Sequence, residues 1–374
     1  MMKKLRTIIP LCIMLIILTS CNLGMDDNGV VESDENEGET FIIPNNKVSE
    51  AEYQMILPFR PSEARGVITN QVVNRVDIEE LEDGLRRHST DTFNPEDYVY
   101  EEGQYFTANE IYSLIDEINP KIKEKKKEKD QIEEYRNNPR IFSHLLEQNY
   151  LVRKDNSVEL GGISIGIALK SVYRFTTETG GPYHYEDISM EEMLEEGERI
   201  AEIVLKEIRE KDELKNVPVM IGLYREEKQA SPVSGNYVRK TVVDAGENSL
   251  GKWENIDDKH ILYSSKTATG KYADDYQKIK TFDERINEYF PNYVGVIGEG
   301  FYVDDELQKI TLVLPLEFEG RSEIIGFTQY VYGVAEEVFK DYYDLDIVIE
   351  TMDKTEAIIT RKAGEEQLDV HVLK

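Results

Sequence analysis

Two hydrophobic periods alternate along this chain. Ile163, Ile165, Ile167 and Leu169 fall on every second position within Gly162–Phe175, the spacing of a strand with one apolar face. Met190, Met193, Leu194, Gly197, Ala201, Leu205 and Ile208 then recur at three and four, the stripe of an amphipathic helix. Ser189-Met-Glu-Glu192 is a capping-box pattern at its start. Val217, Val219, Ile221 and Leu223 return to a period of two. Strand, helix, strand with short links predicts a β-α-β unit with parallel pairing and a right-handed crossover.

The pattern recurs later. Thr281-Phe-Asp-Glu284 predicts a cap before a short helix. Tyr293–Val303 and Ile310–Phe318 read as strands, the second alternating through Ile310, Leu312, Leu314 and Leu316. Ile324, Ile325, Thr328, Val331, Val334, Ala335, Val338, Phe339 and Tyr342 give a helix with one apolar face. Ile347–Ile349, Ala357–Arg361 and Leu368–Val372 finish as short strands. The predicted class is α+β: two α/β-sandwich-like subdomains built on strand–helix–strand units. We place the first at 49–275 and the second at 276–374.

Other stretches read less regularly. Thr107-Ala-Asn-Glu110 caps a helix through Ile111, Leu114, Ile115 and Ile118, and Pro120 ends it. Lys121–Tyr135 continues as a charged helix whose interleaved Glu124, Glu128 and Asp130 mark it as solvated, not as a basic patch. Residues 225–275, rich in Gly, Ser, Asn and Lys and holding the sole Trp, Trp253, read as mostly loop apart from a strand at Tyr237–Val243. They are the expected recognition surface.

The N-terminus carries the sharpest chemistry. Lys3, Lys4 and Arg6 precede Thr7–Leu18, about a dozen largely apolar residues. A secretory signal has that length, whereas a spanning helix needs roughly 20. Leu18-Thr-Ser-Cys21 closes the run. Cys21 is the thiol placed to accept a diacylglyceryl group, and cleavage between Ser20 and Cys21 would make it the new N-terminus. Residues 1–20 are therefore predicted to be a lipoprotein signal. Maturation implies a diacylglyceryl transferase and signal peptidase II as partners, with a lipid anchor on the outer face of the cell membrane. Residues 21–48, with Asp26, Asp27, Glu32, Asp34, Glu35, Glu37 and Glu39, are predicted to be a disordered acidic tether. As a coil its ends lie roughly 30 Å apart.

Charge narrows the field further. The chain carries −30, and loss of Lys3, Lys4 and Arg6 leaves 41 basic against 74 acidic residues, about −33. Such a surface repels nucleic acid. Cys12 leaves with the signal and lipid consumes Cys21, so the mature fold has neither a free thiol nor a disulfide.

No catalytic constellation emerges. G-x-S-x-G and H-E-x-x-H are absent, and His88, His144, His184, His260 and His371 lack the spacing of zinc ligands on a helix. His184, after Gly180-Gly181-Pro182, reads as a turn residue. Asp34–Gly38 lacks the late bidentate Glu of a calcium loop. Gly295-Val-Ile-Gly-Glu-Gly300 has the wrong order for a dinucleotide fingerprint and reads as glycines easing a bulge. The 22 tyrosines fall largely at positions that also serve a core. No metal, cofactor or catalytic residue is predicted.

Leu18–Cys21, the acidic stretch behind it, ILPFRPSEARG at Ile56–Gly66, GGISIGIAL at Gly161–Leu169 and GEGFYVD at Gly298–Asp304 together resemble the CamS family of Gram-positive lipoproteins, the sex pheromone precursors. The resemblance spans essentially the whole chain. It implies that the bioactive piece is the discarded one, a short hydrophobic peptide freed from the signal that stimulates plasmid conjugation. The matching segment is Met14, Leu15, Ile16, Ile17, Leu18, Thr19 and Ser20. Met14 and Thr19 depart from the alanine-richer family peptides. The resemblance implies no role for the folded part. A binding or envelope-associated domain and, less favoured, an envelope enzyme with an atypical site stand side by side. Convergent carboxylates with raised pKa values would mark the enzyme, and an aromatic groove beside 225–275 would mark the binder.

Overall fold

The computed structural model describes residues 29–33, 40–44, 52–72, 74–154, 157–290, 293–317 and 320–373. In chain order the first unit comprises β1 (Gly29–Ser33), β2 (Thr40–Ile43), β3 (Gln54–Met55), α1 (Glu63–Gln71), α2 (Arg75–Ser89), β4 (Tyr98–Glu102), α3 (Ala108–Ile118), α4 (Glu128–Asn137), β5 (Phe142–Lys154), β6 (Ser157–Lys170), β7 (Val172–Phe175), β8 (His184–Asp187), α5 (Met190–Glu210), β9 (Val219–Glu226), β10 (Asn236–Val243) and β11 (Glu254–Asn255). The second comprises β12 (Asp258–Leu262), α6 (Lys266–Gly270), α7 (Ala273–Tyr289), β13 (Ile297–Val303), β14 (Glu306–Pro315), α8 (Arg321–Val338), β15 (Asp344–Glu350), β16 (Thr355–Arg361) and β17 (Asp369–Val372).

The first sheet runs β11-β10-β9-β6-β5-β4-β3, with β1 set against both β2 and β6. The second runs β12-β13-β14-β15-β16-β17. Each is built around hairpin–helix–hairpin. In the first, β5–β6, α5 and β9–β10 come in that order, with the small β7–β8 hairpin between β6 and α5, and β6 pairs parallel with β9 as the sequence predicts. In the second, β13–β14, α8 and β15–β16 repeat the order, with β14 parallel to β15. The mixed α/β architecture of the prediction stands.

The first sheet is covered on both faces. Ile163, Ile165, Ile167 and Leu169 pack with Met193, Ile200, Ala201, Val204 and Ile208 of α5 on one side. On the other, Ala168, Met220 and Tyr224 pack with Leu81 and Leu85 of α2. The Tyr237 ring occupies that second face above Gly222 and Gly166, which are register partners. A Cβ on Gly222 would sit 2.7 Å from the ring, and one on Gly166 2.6 Å from the hydroxyl, which donates to the Leu81 carbonyl at 2.8 Å. Gly166 of the GGISIGIAL stretch is therefore a seat for a tyrosine. The second sheet is covered on one face, by α7 and α8.

Several expectations need correcting. The sheets change over at Ile256–Asp257, not at 275. Residues 225–275 hold more than the one strand expected, since β11, β12 and α6 lie there besides β10. The 21–48 segment is not wholly unstructured. Val30–Val31 and Phe41–Ile43 give it two short apolar runs, and these form the antiparallel pair β1–β2. Thr281 does not cap a helix. It lies inside α7 and donates to the Gln277 carbonyl at 2.8 Å, because T-x-x-E spacing also suits a helix interior. The charged helix starts only at Glu128. His184 begins β8, with its ring stacked on Phe175.

Candidate functional site

Cys21, the Ser20–Cys21 junction, the Met14–Ser20 segment and the Asp34–Gly38 loop lie outside the described residues. The five histidines are scattered. His371 is on exposed β17. His144 is buried in β5, and burial pushes its pKa down to about 3. Among the described residues no group of three or more His, Cys, Asp or Glu is placed to hold a metal ion.

His88 and His260 help to join the two units. His88 Nε2 lies 2.8 Å from Asp258 Oδ2, which also accepts from Arg87 Nη2 at 2.9 Å. Arg87 reaches Glu80 at 2.6 Å and lies 4.6 Å from the centroid of the Phe301 ring. His260 stands between Glu299, at 2.7 Å, and Glu80, at 3.5 Å. Burial opposes its charge, but those carboxylates prevail and raise its pKa to about 9. This cluster is a buried ionic seam between α2 and the β12–β13 edge.

Burial raises the pKa of three buried carboxylates, Asp77, Glu147 and Glu226, and lifts the last two furthest. Glu147 accepts backbone N–H bonds from Gln104, Tyr105 and Phe106 at 3.0, 3.1 and 2.8 Å. Burial still pushes it up to about 7. It staples the loop ahead of α3, a structural use. Glu226, 4 % exposed, borders a cleft of about 490 Å³ at the carboxyl ends of β6 and β9. Burial raises it to about 7 against the pull of Lys170, its register partner. Arg174, Tyr185, Asp187 and Lys228 complete the walls. No serine, cysteine or histidine is among the lining residues, and the buried Ser143 hydrogen-bonds Glu226 from behind.

The second unit holds a larger groove of about 760 Å³, bounded by the start of α7, the β13–β14 turn and Tyr342. Its construction starts with glycine. A Cβ on Gly300 would sit 2.4 Å from the Tyr263 hydroxyl and 2.7 Å from the Tyr302 ring. Without it, Tyr263 and Tyr302 bring their hydroxyls to 2.9 Å. The glycines of GEGFYVD therefore seat a tyrosine pair, next to the bulge at Phe301/Tyr302.

From there a polar chain runs outward. Tyr302 donates to Asp275 Oδ2 at 2.9 Å, and Lys278 donates to Asp275 Oδ1 at 2.8 Å. Lys278 also lies 3.5 Å from the Tyr342 hydroxyl. Tyr272 packs on Tyr302 with centroids 4.2 Å apart. Tyr342 is 60 % exposed and meets the buried Tyr343 edge-on at 4.9 Å.

The turn closing the groove is strained. Asp304 and Asp305 have φ of 51° and 65°, a left-handed pair that favours Asn-Gly. Asp305 Oδ1 accepts from Lys259 at 2.8 Å, from the Tyr272 hydroxyl at 2.9 Å and from Lys271. These partners hold its carboxyl well below the usual range. The arrangement offers aromatic faces and paired charges but no nucleophile–base pair. Sequence reasoning missed it because Tyr272, Tyr302 and Tyr342 come from three distant segments. Only the position of the groove, at the end of 225–275, had a sequence signal.

Comparison with known proteins follows the same lines. The model of the family described as CamS sex pheromone cAM373 precursor matches residues 59–367. A sex pheromone precursor from Lactobacillus salivarius subsp. salivarius UCC118 is 26 % identical, with a TM-score of 0.80, over 88 % of this chain and 98 % of its own. The C-terminal domain of the sex pheromone staph-cAM373 precursor from Staphylococcus aureus shares the fold at 24 % identity and a TM-score of 0.69, over 82 % of this chain and 99 % of its own. No curated protein matches the chain.

Proposed function

This chain belongs to the CamS sex pheromone precursor family, and on that premise we propose that it is a lipoprotein whose discarded signal carries the message. Lys3, Lys4 and Arg6 hold the N-terminus inside, Thr7–Leu18 enters the membrane, and the transferase lipidates Cys21. Signal peptidase II then cuts after Ser20. Two acyl chains suffice for stable anchoring, at roughly 0.8 kcal/mol per buried CH₂. The folded units are thereby displayed on the outer face of the membrane, without catalytic activity.

Further proteolysis of the signal frees Met14–Ser20. Its aliphatic side chains fill an apolar receptor groove, each worth roughly 1.5–3 kcal/mol when buried, and it stimulates conjugation. The observation that carries this reading is the Leu18-Thr-Ser-Cys21 junction behind a basic, apolar leader in a chain of this family. Mass spectrometry of membranes should find diacylglyceryl on an N-terminal Cys21, and Cys21→Ala should leave the precursor uncut. Synthetic MLIILTS added to donor cells should raise conjugation frequency over a scrambled peptide. An intact precursor with a free Cys21 thiol, or no response from donors that answer related peptides, would end the respective claim.

The tyrosine groove favours a second role for the displayed part. Its exposed ring and charge-paired walls suit ligand binding at the cell surface.

A further inference from the structure

We propose that the groove between the start of α7, the β13–β14 turn and Tyr342 binds an uncharged saccharide, with the Tyr342 ring as the stacking platform and Asp274, Lys271 and Gln308 as partners for its hydroxyls. The inference rests on the second role above, surface ligand binding. The walls decide the ligand class. Asp305 is already paired with Lys259 and Lys271, and Asp275 with Lys278. Apart from the exposed Asp274 and Glu306, a cation would meet carboxylates whose charge is spent, and an anion would meet lysines whose charge is already balanced, though Lys271 keeps N–H donors for a neutral hydroxyl. An anionic polymer would also face a surface of about −33. An apolar chain would bury these charged groups without replacing their water, which opposes binding.

A neutral ring bearing hydroxyls avoids all three costs. Its C–H face stacks on an aromatic ring, and its rim both donates and accepts. Tyr342 supplies such a ring, held edge-on by Tyr343, and Gln308 is both donor and acceptor. The volume lies inside the range of about 300–1,000 Å³ for small-molecule sites, room for a short saccharide.

A second observation points to the same place. The left-handed backbone at Asp304–Asp305 is strained for residues with a side chain, and a hairpin alone would be served by Asn-Gly. The strained turn instead brings Asp305 onto Tyr272 and Lys271, and this fixes the rim of the groove.

Isothermal titration of the full chain in detergent tests the proposal, with tetrasaccharides of glucose, N-acetylglucosamine, galactose and mannose as probes. At least one should bind saturably. Tyr342→Ala should weaken it by about tenfold or more, Tyr342→Phe should hold it near wild type, and Tyr183→Ala, on the other unit, should leave it unchanged. Circular dichroism confirms that each variant is folded. No saturable binding by any of the four at millimolar concentration would overturn the proposal. So would binding indifferent to Tyr342→Ala. Binding of tetra-alanine but no sugar would overturn the saccharide and keep the role in ligand binding. The titration does not depend on lipidation, so failure of the anchor reading and failure of this one separate cleanly.

Discussion

The two units share hairpin–helix–hairpin topology and differ in how their sheets are covered. In the first, β5 is buried without a break from Phe142 to Leu151, since helices pack on both faces. In the second, β14 and β15 alternate buried and half-buried positions, and Ile297 on the open face is 56 % exposed. Continuous and alternating runs mark two-sided and one-sided cover. Their clefts also differ. The Glu226 cleft lies at the carboxyl ends of the parallel pair β6–β9, where open α/β sheets usually bind ligands. The tyrosine groove lies at the amino ends of β14–β15, and α7 supplies its other wall. Shared topology has not carried a shared site.

Each unit ties a helix end with one buried arginine, and this is where the comparison breaks most severely. Arg209 donates to the carbonyls of Leu214, Val217, Asp244 and Glu247 at 2.6, 3.0, 3.1 and 2.8 Å. Arg361 serves only Phe339 and Lys340. Arg209→Ala should cost about 4 kcal/mol by urea unfolding and Arg361→Ala about 2, as buried carbonyls lose charged donors. Equal costs would show that the number of carbonyls served is irrelevant.

The seam and the first unit should respond to pH in different windows. His260 is raised from 6.5 to about 9, so its contribution is full below pH 6.5 and is lost as pH rises through 9. The loss reaches up to about 3 kcal/mol. Glu226 is raised from 4.5 to about 7, so its protonated form stabilises below pH 4.5 and that contribution is lost by pH 7. His144 acts in the opposite sense, lost as pH falls from 6.5 toward 3. In stability measured from pH 4.5 to 9.5, His260→Gln should flatten the upper window only and Glu226→Gln should shrink the lower one only, where Glu147 keeps its own share. Exchange of those effects would refute the assignment.

Both units also seat a tyrosine on glycine. Gly222→Ala would press on the Tyr237 ring and Gly300→Ala on the Tyr263 hydroxyl, each for about 2 kcal/mol of overpacking. Only Gly300→Ala should also disturb the groove, because it parts Tyr263 from Tyr302. Near-ultraviolet circular dichroism separates the two, and an unchanged tyrosine signal in Gly300→Ala would sever that link.

How much of this the sequence discloses depends on distance along the chain. Ile310, Leu312 and Leu314 announce β14, and Thr107 with Glu110 forms the full reciprocal cap at α3, because both signals are local. The boundary near Ile256 was missed because a two-residue strand such as β11 has no period to read. The seam and the groove were missed for a different reason. Glu80 meets His260, and Tyr302 meets Tyr272, only after the chain has folded back, and nothing beside either residue marks its partner. Arg209 sits on a helix like any solvated arginine until four carbonyls arrive from its C-terminal side.

The smallest effect concerns helix starts. In the first unit Ser62, Thr107 and Ser189 cap α1, α3 and α5 with side-chain oxygens. In the second, α8 begins at Gly320, which has no side chain to offer its free N–H groups. Gly320 has φ of −107° and ψ of 131°, a conformation open to any residue, and a Cβ there meets nothing within 4 Å. Gly320→Ser should therefore gain a capping bond, worth a few tenths of a kcal/mol over glycine. It also removes freedom from the unfolded chain, a further gain of about 0.4 kcal/mol or more. Thr107→Ala should lose about 1 kcal/mol by the same logic. Calorimetry should show the second unit shifted up by Gly320→Ser and the first shifted down by Thr107→Ala. Destabilisation by Gly320→Ser would mean that α8 needs glycine for a reason other than its missing cap.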